Sequence, residues 1–308
     1  MVLRSLGPTA ASAPRFHLRP RGRMLLATRL GVALVGLVLC AQSDAFLRPI
    51  SAGLITKRPD FESTRFRLET LRGGYLNDAS VSMLVLGESV LWLKIWTTVA
   101  KEGLLDSKIT RKIIHSGSAP LFMAHWPLYS AAPGARLFAA LVPLLQVVRL
   151  YLAGTRTADE ASELVAAVSR TGNKTEALGG PLIYSLVLLL ATSAFFRDSA
   201  VGIVAVSQMA AGDGIADIFG RRYGKTKWPF APTKSLVGST AFVVGGFVVS
   251  TALLALMNHT GVLAIDVVQK APVLLGISLL SAAVELLPII DDNISVPLVA
   301  ALATWLLL

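Results

Sequence analysis

Eight apolar runs punctuate the chain, at roughly 79 to 99, 116 to 131, 135 to 153, 181 to 196, 199 to 211, 236 to 257, 271 to 287 and 294 to 308. Their length and lack of charge predict seven or eight membrane-spanning helices, and hence an all-α, polytopic membrane helical bundle. Pro120, Pro127, Pro143 and Pro272 lie inside these runs, so some spans are expected to be tilted, broken or incomplete. Polar residues gather in four connections, 101 to 115, 154 to 180, 212 to 235 and 288 to 293. Two spans separate each consecutive pair, so all four are expected on one membrane face. The connection at 154 to 180 opens with Thr157-Ala158-Asp159-Glu160, a capping box for a short surface helix, and closes at Gly179-Gly180-Pro181.

Composition agrees with the pattern. The 308 residues are 54% hydrophobic and only 16% charged, with a mean hydropathy of +0.63, too apolar for a water-soluble domain of this length. The formal charge is +10, but residues 1 to 45 contain six arginines and one aspartate, so the remainder carries +5. Leu30 to Cys40 is an apolar run preceded by Arg23 and Arg29 and followed by small residues up to Ala45, which predicts a signal peptide over 1 to 45. The long stretch before Met24 makes that methionine a candidate start. Cys40 is the single cysteine, so removal of the leader would exclude disulfides and cysteine chemistry. Residues 46 to 74 begin Phe46-Leu47-Arg48-Pro49 and are rich in basic residues. They resemble the transit part of the bipartite plastid presequence of algae with secondary plastids. The membrane domain is then 75 to 308.

Chemistry concentrates in the polar connections. Gly212-Asp213-Gly214 through Asp217, Gly220-Arg221-Arg222 and Gly224-Lys225 places acid, glycine and base beside an apolar run. Asp213 and Asp217 share a helical face, as carboxylates holding one Mg²⁺ would. Gly212, Gly214, Gly220 and Gly224 would let backbone approach phosphate, with Arg221, Arg222 and Lys225 supplying charge. The same acids and bases could instead form a structural ion network. Gly220 to Thr226 is one residue short of a P-loop and does not follow a strand, so a P-loop NTPase is excluded. Arg111-Lys112-Ile113-Ile114-His115 could grip phosphate oxygens or orient a hydroxyl, or simply anchor a helix at the interface. Lys234-Ser235 opens the next span, as an anion site or an ordinary cap. In Glu285 to Ser295, Asp291, Asp292 and Asn293 could add a metal ligand, with Asp292 the candidate, or a general base, or merely cap a helix.

In this order, the Arg111 run, Trp126-Pro127-Leu128-Tyr129-Ser130, Ala135 to Pro143, Gly212 to Gly224, Lys234-Ser235 with Gly238-Ser239, and Asp291 to Leu298 resemble the polyprenol kinase branch of the membrane CTP-transferase superfamily. The resemblance is greatest to plant and algal phytol and farnesol kinases. It implies CTP-dependent phosphorylation of a prenyl alcohol, phytol foremost, feeding tocopherol and chlorophyll synthesis. UTP stands as an alternative donor, and farnesol and geranylgeraniol as alternative acceptors. It implies functional roles for Arg111, His115, Lys234, Asp291 and Asp292, with Lys112 beside Arg111 as a further phosphate-binding candidate. Implied partners are the alcohol, the nucleotide and the lipid bilayer, with no nucleic acid. The implied location is a plastid envelope or thylakoid with the site facing the stroma. Ala211, where relatives often carry glycine, and Trp228 depart from the pattern. A cytidylyltransferase of the CDP-diacylglycerol synthase kind is the neighbouring alternative, and a transporter or assembly factor the non-enzymatic one.

Overall fold

The computed structural model describes residues 61–155, 162–169, 171–287 and 290–308. The expected signal peptide, most of the transit-like segment and the capping box at Thr157 to Glu160 lie outside the described residues. Among the described residues, ten α-helices and one two-stranded hairpin succeed one another in chain order: α1 Phe61–Lys101, α2 Ser107–Ala124, α3 Ala135–Thr155, α4 Ser162–Val168, α5 Gly180–Ala194, α6 Ala200–Ser207, α7 Asp213–Tyr223, β1 Lys227–Trp228, β2 Ala231–Ser235, α8 Leu236–His259, α9 Val267–Glu285 and α10 Asp292–Leu307. A π-helical turn, Gln208–Gly212, joins α6 to α7 into one continuous rod.

Among the described residues, six helices are long and apolar enough to cross a membrane: Gly74–Lys101, Ala135–Thr155, Lys174–Ala194, Ala200–Tyr223, Leu236–His259 and Val267–Glu285. The expected count of seven or eight therefore falls to six, with two shorter partners. The run at 116 to 131 becomes α2, which begins earlier, takes Lys108, Arg111 and Lys112 into its first turns, and ends at Ala124. The run at 294 to 308 becomes α10, 16 residues long, against the ~20 that a full crossing requires. The connection expected at 212 to 235 shortens to 224 to 235, because the helix runs on through the glycines to Tyr223.

The α6–α7 rod is the centre of the bundle. Val201 to Gly212 are all buried, because small and β-branched apolar residues surround the helix on every side and leave no polar face for solvent. Helix α8 packs against it closely: a Cβ on Gly212 would lie 2.8 Å from the ring of Phe242. At the end of the bundle away from the polar connections, buried Arg197 donates to the carbonyls of Trp126 (2.9 Å), Tyr129 (2.6 Å) and Ser130 (2.6 Å). Asp78 accepts from the Ser130 backbone N–H (2.6 Å) and hydroxyl (2.8 Å). The Trp126 to Ser130 marker is thus a structural clasp that satisfies otherwise orphaned backbone groups of the α2–α3 turn.

Because Phe242 is fully buried and has little room to move, Gly212→Ala should destabilise the bundle by about 1 to 3 kcal/mol. Gly276→Ala, where a Cβ meets nothing within 4 Å, should be neutral or slightly stabilising. Melting of the detergent-solubilised variants checks this, and equal melting of the two would refute the tight α7–α8 approach.

Candidate active site

The starting residues of α2, α5, α7 and α10, the end of α9 and the β2 strand meet at one end of the bundle. The central rod delivers Asp213 directly after the π turn, and α2 brings Lys112 and His115 against it. Lys112 Nζ donates to Asp213 Oδ2 at 2.9 Å and lies 3.9 Å from Asp217 Oδ2. His115 Nε2 stands 3.5 Å from Asp213 Oδ2. The imidazole packs against the Tyr184 ring of α5 at 4.4 Å, and the Tyr184 hydroxyl donates to the His115 carbonyl at 2.9 Å. Asp217 therefore does share a face and a cation with Asp213, and its Oδ1 also accepts from Arg221 Nε at 2.8 Å, one turn along.

A second cation faces this group. Lys234, at the end of the hairpin, donates to Glu285 of α9 and, at 3.0 Å, to Asp292 of α10. Burial opposes the Lys234 charge, but the Glu285 and Asp292 carboxylates outweigh it and raise the pKa above the usual lysine range. Ligand oxygens of Asp213, Glu285 and Asp292 all lie within 4.8 Å of one another. Side-chain exposure in this trio rises from 5% at Glu285 through 16% at Asp213 to 32% at Asp292. Two atoms at the edge of the trio, Asp217 Oδ2 and His115 Nε2, are sealed from water without a hydrogen-bond partner. Converging hard oxygen donors with an orphaned carboxylate oxygen beside them suit a Mg²⁺ ion, which prefers carboxylate and phosphate oxygen.

Several residues expected at the site have other work. The four glycines face protein rather than open space. A Cβ on Gly214 would lie 3.1 Å from Ser116 Cα, one on Gly220 3.3 Å from Gly238 Cα, and one on Gly224 would strike the Ser235 hydroxyl. They let helix close against helix. Ser235 is the N-cap of α8, its hydroxyl accepting from Gly238 N–H at 3.1 Å. Asp291 caps α10, its Oδ1 accepting from the Asn293 backbone N–H (3.0 Å) and side-chain amide (2.9 Å). Asn293 in turn lies beside Gly180 at the start of α5.

Arg111 is half-buried on α2, one turn before His115. Arg222 is nine residues beyond Asp213, hence about 180° around the helix from it. There it stacks over the Tyr223 ring at 5.6 Å, away from the trio. Lys225 is exposed just past the end of α7. Sequence reasoning missed Glu285 as a member of the trio and Tyr184 altogether. A carboxylate ending an apolar span was a signal for the first, and a tyrosine inside an apolar run gave none for the second.

The fold and site define an integral-membrane helical protein with a partly buried carboxylate trio, bracketed by two lysines and a histidine, at one end of its spans. No family model matches the chain, and no solved structure does. Curated relatives do. A wheat (Triticum aestivum) protein named "Probable phytol kinase, chloroplastic" is 40% identical over 236 residues, 75% of this chain and 78% of the relative. "Phytol kinase 1, chloroplastic" of Arabidopsis thaliana is 38% identical over 234 residues, covering 75% and 77%. "Farnesol kinase, chloroplastic" of the same plant is 38% identical over 218 residues, covering 70% of each. The chain belongs to the phytol kinase and farnesol kinase family.

Removing one member of a partly buried ion cluster strands the others, Glu285 above all, so Lys234→Met should cost about 1 to 3 kcal/mol. A Lys234→Met/Glu285→Leu double variant should recover part of it. Because the Lys234 pKa is raised on folding, its stabilisation is fully present below the unfolded lysine value and fades as pH climbs through the folded one. The melting difference between wild type and Lys234→Met should then hold steady across neutral pH and shrink only in strongly alkaline solution. A difference that vanishes between about pH 6 and 8, well below the ordinary lysine range, would refute the pairing.

Proposed function

We propose that the chain phosphorylates phytol, or a closely related prenyl alcohol, at the expense of CTP, releasing CDP, in a plastid membrane. The observation that carries this reading is the convergence of Asp213, Glu285 and Asp292 within 4.8 Å, bracketed by Lys112, His115 and Lys234 at one end of the spans. Relatives named as chloroplastic phytol and farnesol kinases support the alcohol acceptor and the compartment.

On this reading Asp213, Glu285 and Asp292 would hold a Mg²⁺, with Asp217 beside them. The ion would screen the charge of the triphosphate and polarise the phosphoryl group. Lys112 and Lys234 give up part of their carboxylate contacts to bind phosphate oxygens, and Arg221 and Arg111 lie at the rim to add charge. The isoprenoid tail stays among apolar helices or lipid, which brings the hydroxyl to the buried side of the trio. His115 is the acceptor for its proton: the tautomer with hydrogen on Nδ1 leaves Nε2 open, and the imidazolium formed then faces Asp213 at 3.5 Å. As the alcohol oxygen bonds to the γ-phosphorus, the bond to the β,γ-bridging oxygen breaks and CDP leaves. Tyr184 fixes the imidazole through ring packing and its bond to the His115 carbonyl.

Washed membranes given γ-labelled CTP and phytol test this. Asp213→Asn and Glu285→Gln should each lower label transfer by roughly 100-fold or more while the protein stays inserted. Chelation should abolish the wild-type reaction, and added Mg²⁺ restore it. Wild-type turnover by Asp213→Asn, or release of pyrophosphate instead of CDP, overturns the proposal. A panel of phytol, geranylgeraniol and farnesol ranks the acceptors.

A further inference from the structure

The face of α7 that turns away from the carboxylates has its own chemistry. Phe219 is 45% exposed, Tyr223 54% and Phe230 64%. Phe219 packs on Tyr223 with ring centroids 5.9 Å apart, and Phe230 on Trp228 at 5.4 Å. The Trp228 indole N–H donates to Ser239 on α8 at 3.0 Å, which ties the hairpin down to the start of that helix. Among these rings stand the exposed cations Arg222, Lys225 and Lys227. Between Asp217 and Asp266 the chain holds five cations and not one acid, so Arg222, Lys225 and Lys227 have no carboxylate within that stretch to neutralise them.

Topology fixes the level of this surface. Ala200–Tyr223 and Leu236–His259 are both long and apolar enough to cross a membrane, and the hairpin is the short connection between them. It therefore lies where apolar tails give way to headgroups. Exposed aromatic rings are favourable at that depth, and lysine and arginine beside them attract anionic phosphate there. Soluble nucleotide suits this face less well, because Arg222 projects from the side of α7 opposite Asp213, and large apolar rings surround the charges.

We propose that the outer face of α7 and the hairpin, through Phe219, Arg222, Tyr223, Lys225, Lys227 and Phe230, form a docking surface for anionic phospholipid headgroups of the surrounding leaflet. Lipid held there has a direct route to the site. The hairpin it grips ends in Lys234, which bridges Glu285 and Asp292, and in Ser235, which caps α8.

The test needs no turnover, so it stands or falls apart from the kinase reading. The full chain is reconstituted in phosphatidylcholine bilayers containing spin-labelled phosphatidylglycerol or spin-labelled phosphatidylcholine, and the motionally restricted fraction of each label is measured. Wild type should restrict phosphatidylglycerol about twofold or more over phosphatidylcholine, and high salt should erase much of that preference. Arg222→Gln/Lys225→Gln/Lys227→Gln should remove it while wild-type melting is retained. Should that variant fail to fold, Lys227→Gln/Phe230→Ser alone should reduce the preference. Equal restriction of the two lipids by wild type, or a preference unchanged in the folded variants, overturns the proposal. Displacement of the labelled lipid by millimolar CTP or inorganic phosphate overturns it too, by assigning the cations to a soluble phosphate.

Discussion

Everything at the functional end of this bundle depends on where Asp213 stands. A carboxylate at the end of a helix buried on all sides cannot be left alone, because burying an uncompensated charge is prohibitive in an apolar setting. Lys112 answers it from α2 at 2.9 Å. The same requirement recurs across the pocket, where Glu285, nearly sealed at the end of α9, is met by Lys234. Two short, polar-tipped helices, α2 and α10, therefore join the six spans at this end. Their polar first turns supply Lys112, His115 and Asp292, side chains that long apolar spans cannot present without carrying charge into the membrane.

The π turn is the mechanical counterpart of that electrostatic demand. Upstream of it the rod must be apolar all round; downstream it must divide into an acidic face and a basic one. Five consecutive residues, Gln208–Gly212, take the wider turn. Such a turn accommodates an extra residue and re-phases the downstream helix by about one residue's rotation, ~100°. The glycines then let α7 lie against Ser116 on one side and against Gly238 and Ser235 on the other. Their role is to bring α2 and α8 close enough for Lys112 and Lys234 to reach the acids.

Much of this was legible in the chain. Apolar runs foretold the helical membrane architecture, and the count of two spans between polar connections foretold their convergence on one end. The neighbourhood of Lys112, His115 and Asp213 is a consequence of that count. What periodicity could not reveal was depth. The run at 116 to 131 had the hydropathy of a span, yet the helix begins at Ser107 because Asp106 caps it, and the basic cluster rides on its first turns. Likewise a Gly-Arg-Arg-Tyr-Gly-Lys string reads locally as a loop, whereas packing against α8 keeps it helical to Tyr223. Lone side chains were hardest: Asp291 and Asp292 are adjacent and chemically alike, and only the backbone shows that one caps α10 while the other bridges to Lys234. Glu285 was visible as a charge at the end of an apolar run, but its reach to Asp213 depends on the α9–α10 turn, which no pattern specifies.

The gradient of exposure within the carboxylate trio bears on the proposed reaction. A prenyl alcohol and a nucleoside triphosphate share no solvent, so a site that joins them must be dry on one side and wet on the other. On the proposed reading Glu285, the most deeply buried, would lie nearest the arriving isoprenoid hydroxyl, and Asp292, the most exposed, nearest the water that would deliver a nucleotide. Asp213 lies between them in exposure and is the member held by both Lys112 and His115. A dry inner wall strengthens each of these electrostatic contacts and limits the water that could compete with the alcohol as acceptor. The same low dielectric makes the pocket depend on its internal lysines. On this view Lys112 and Lys234 would serve twice, as the counter-ions that let these carboxylates be buried and as the charges that would receive a triphosphate.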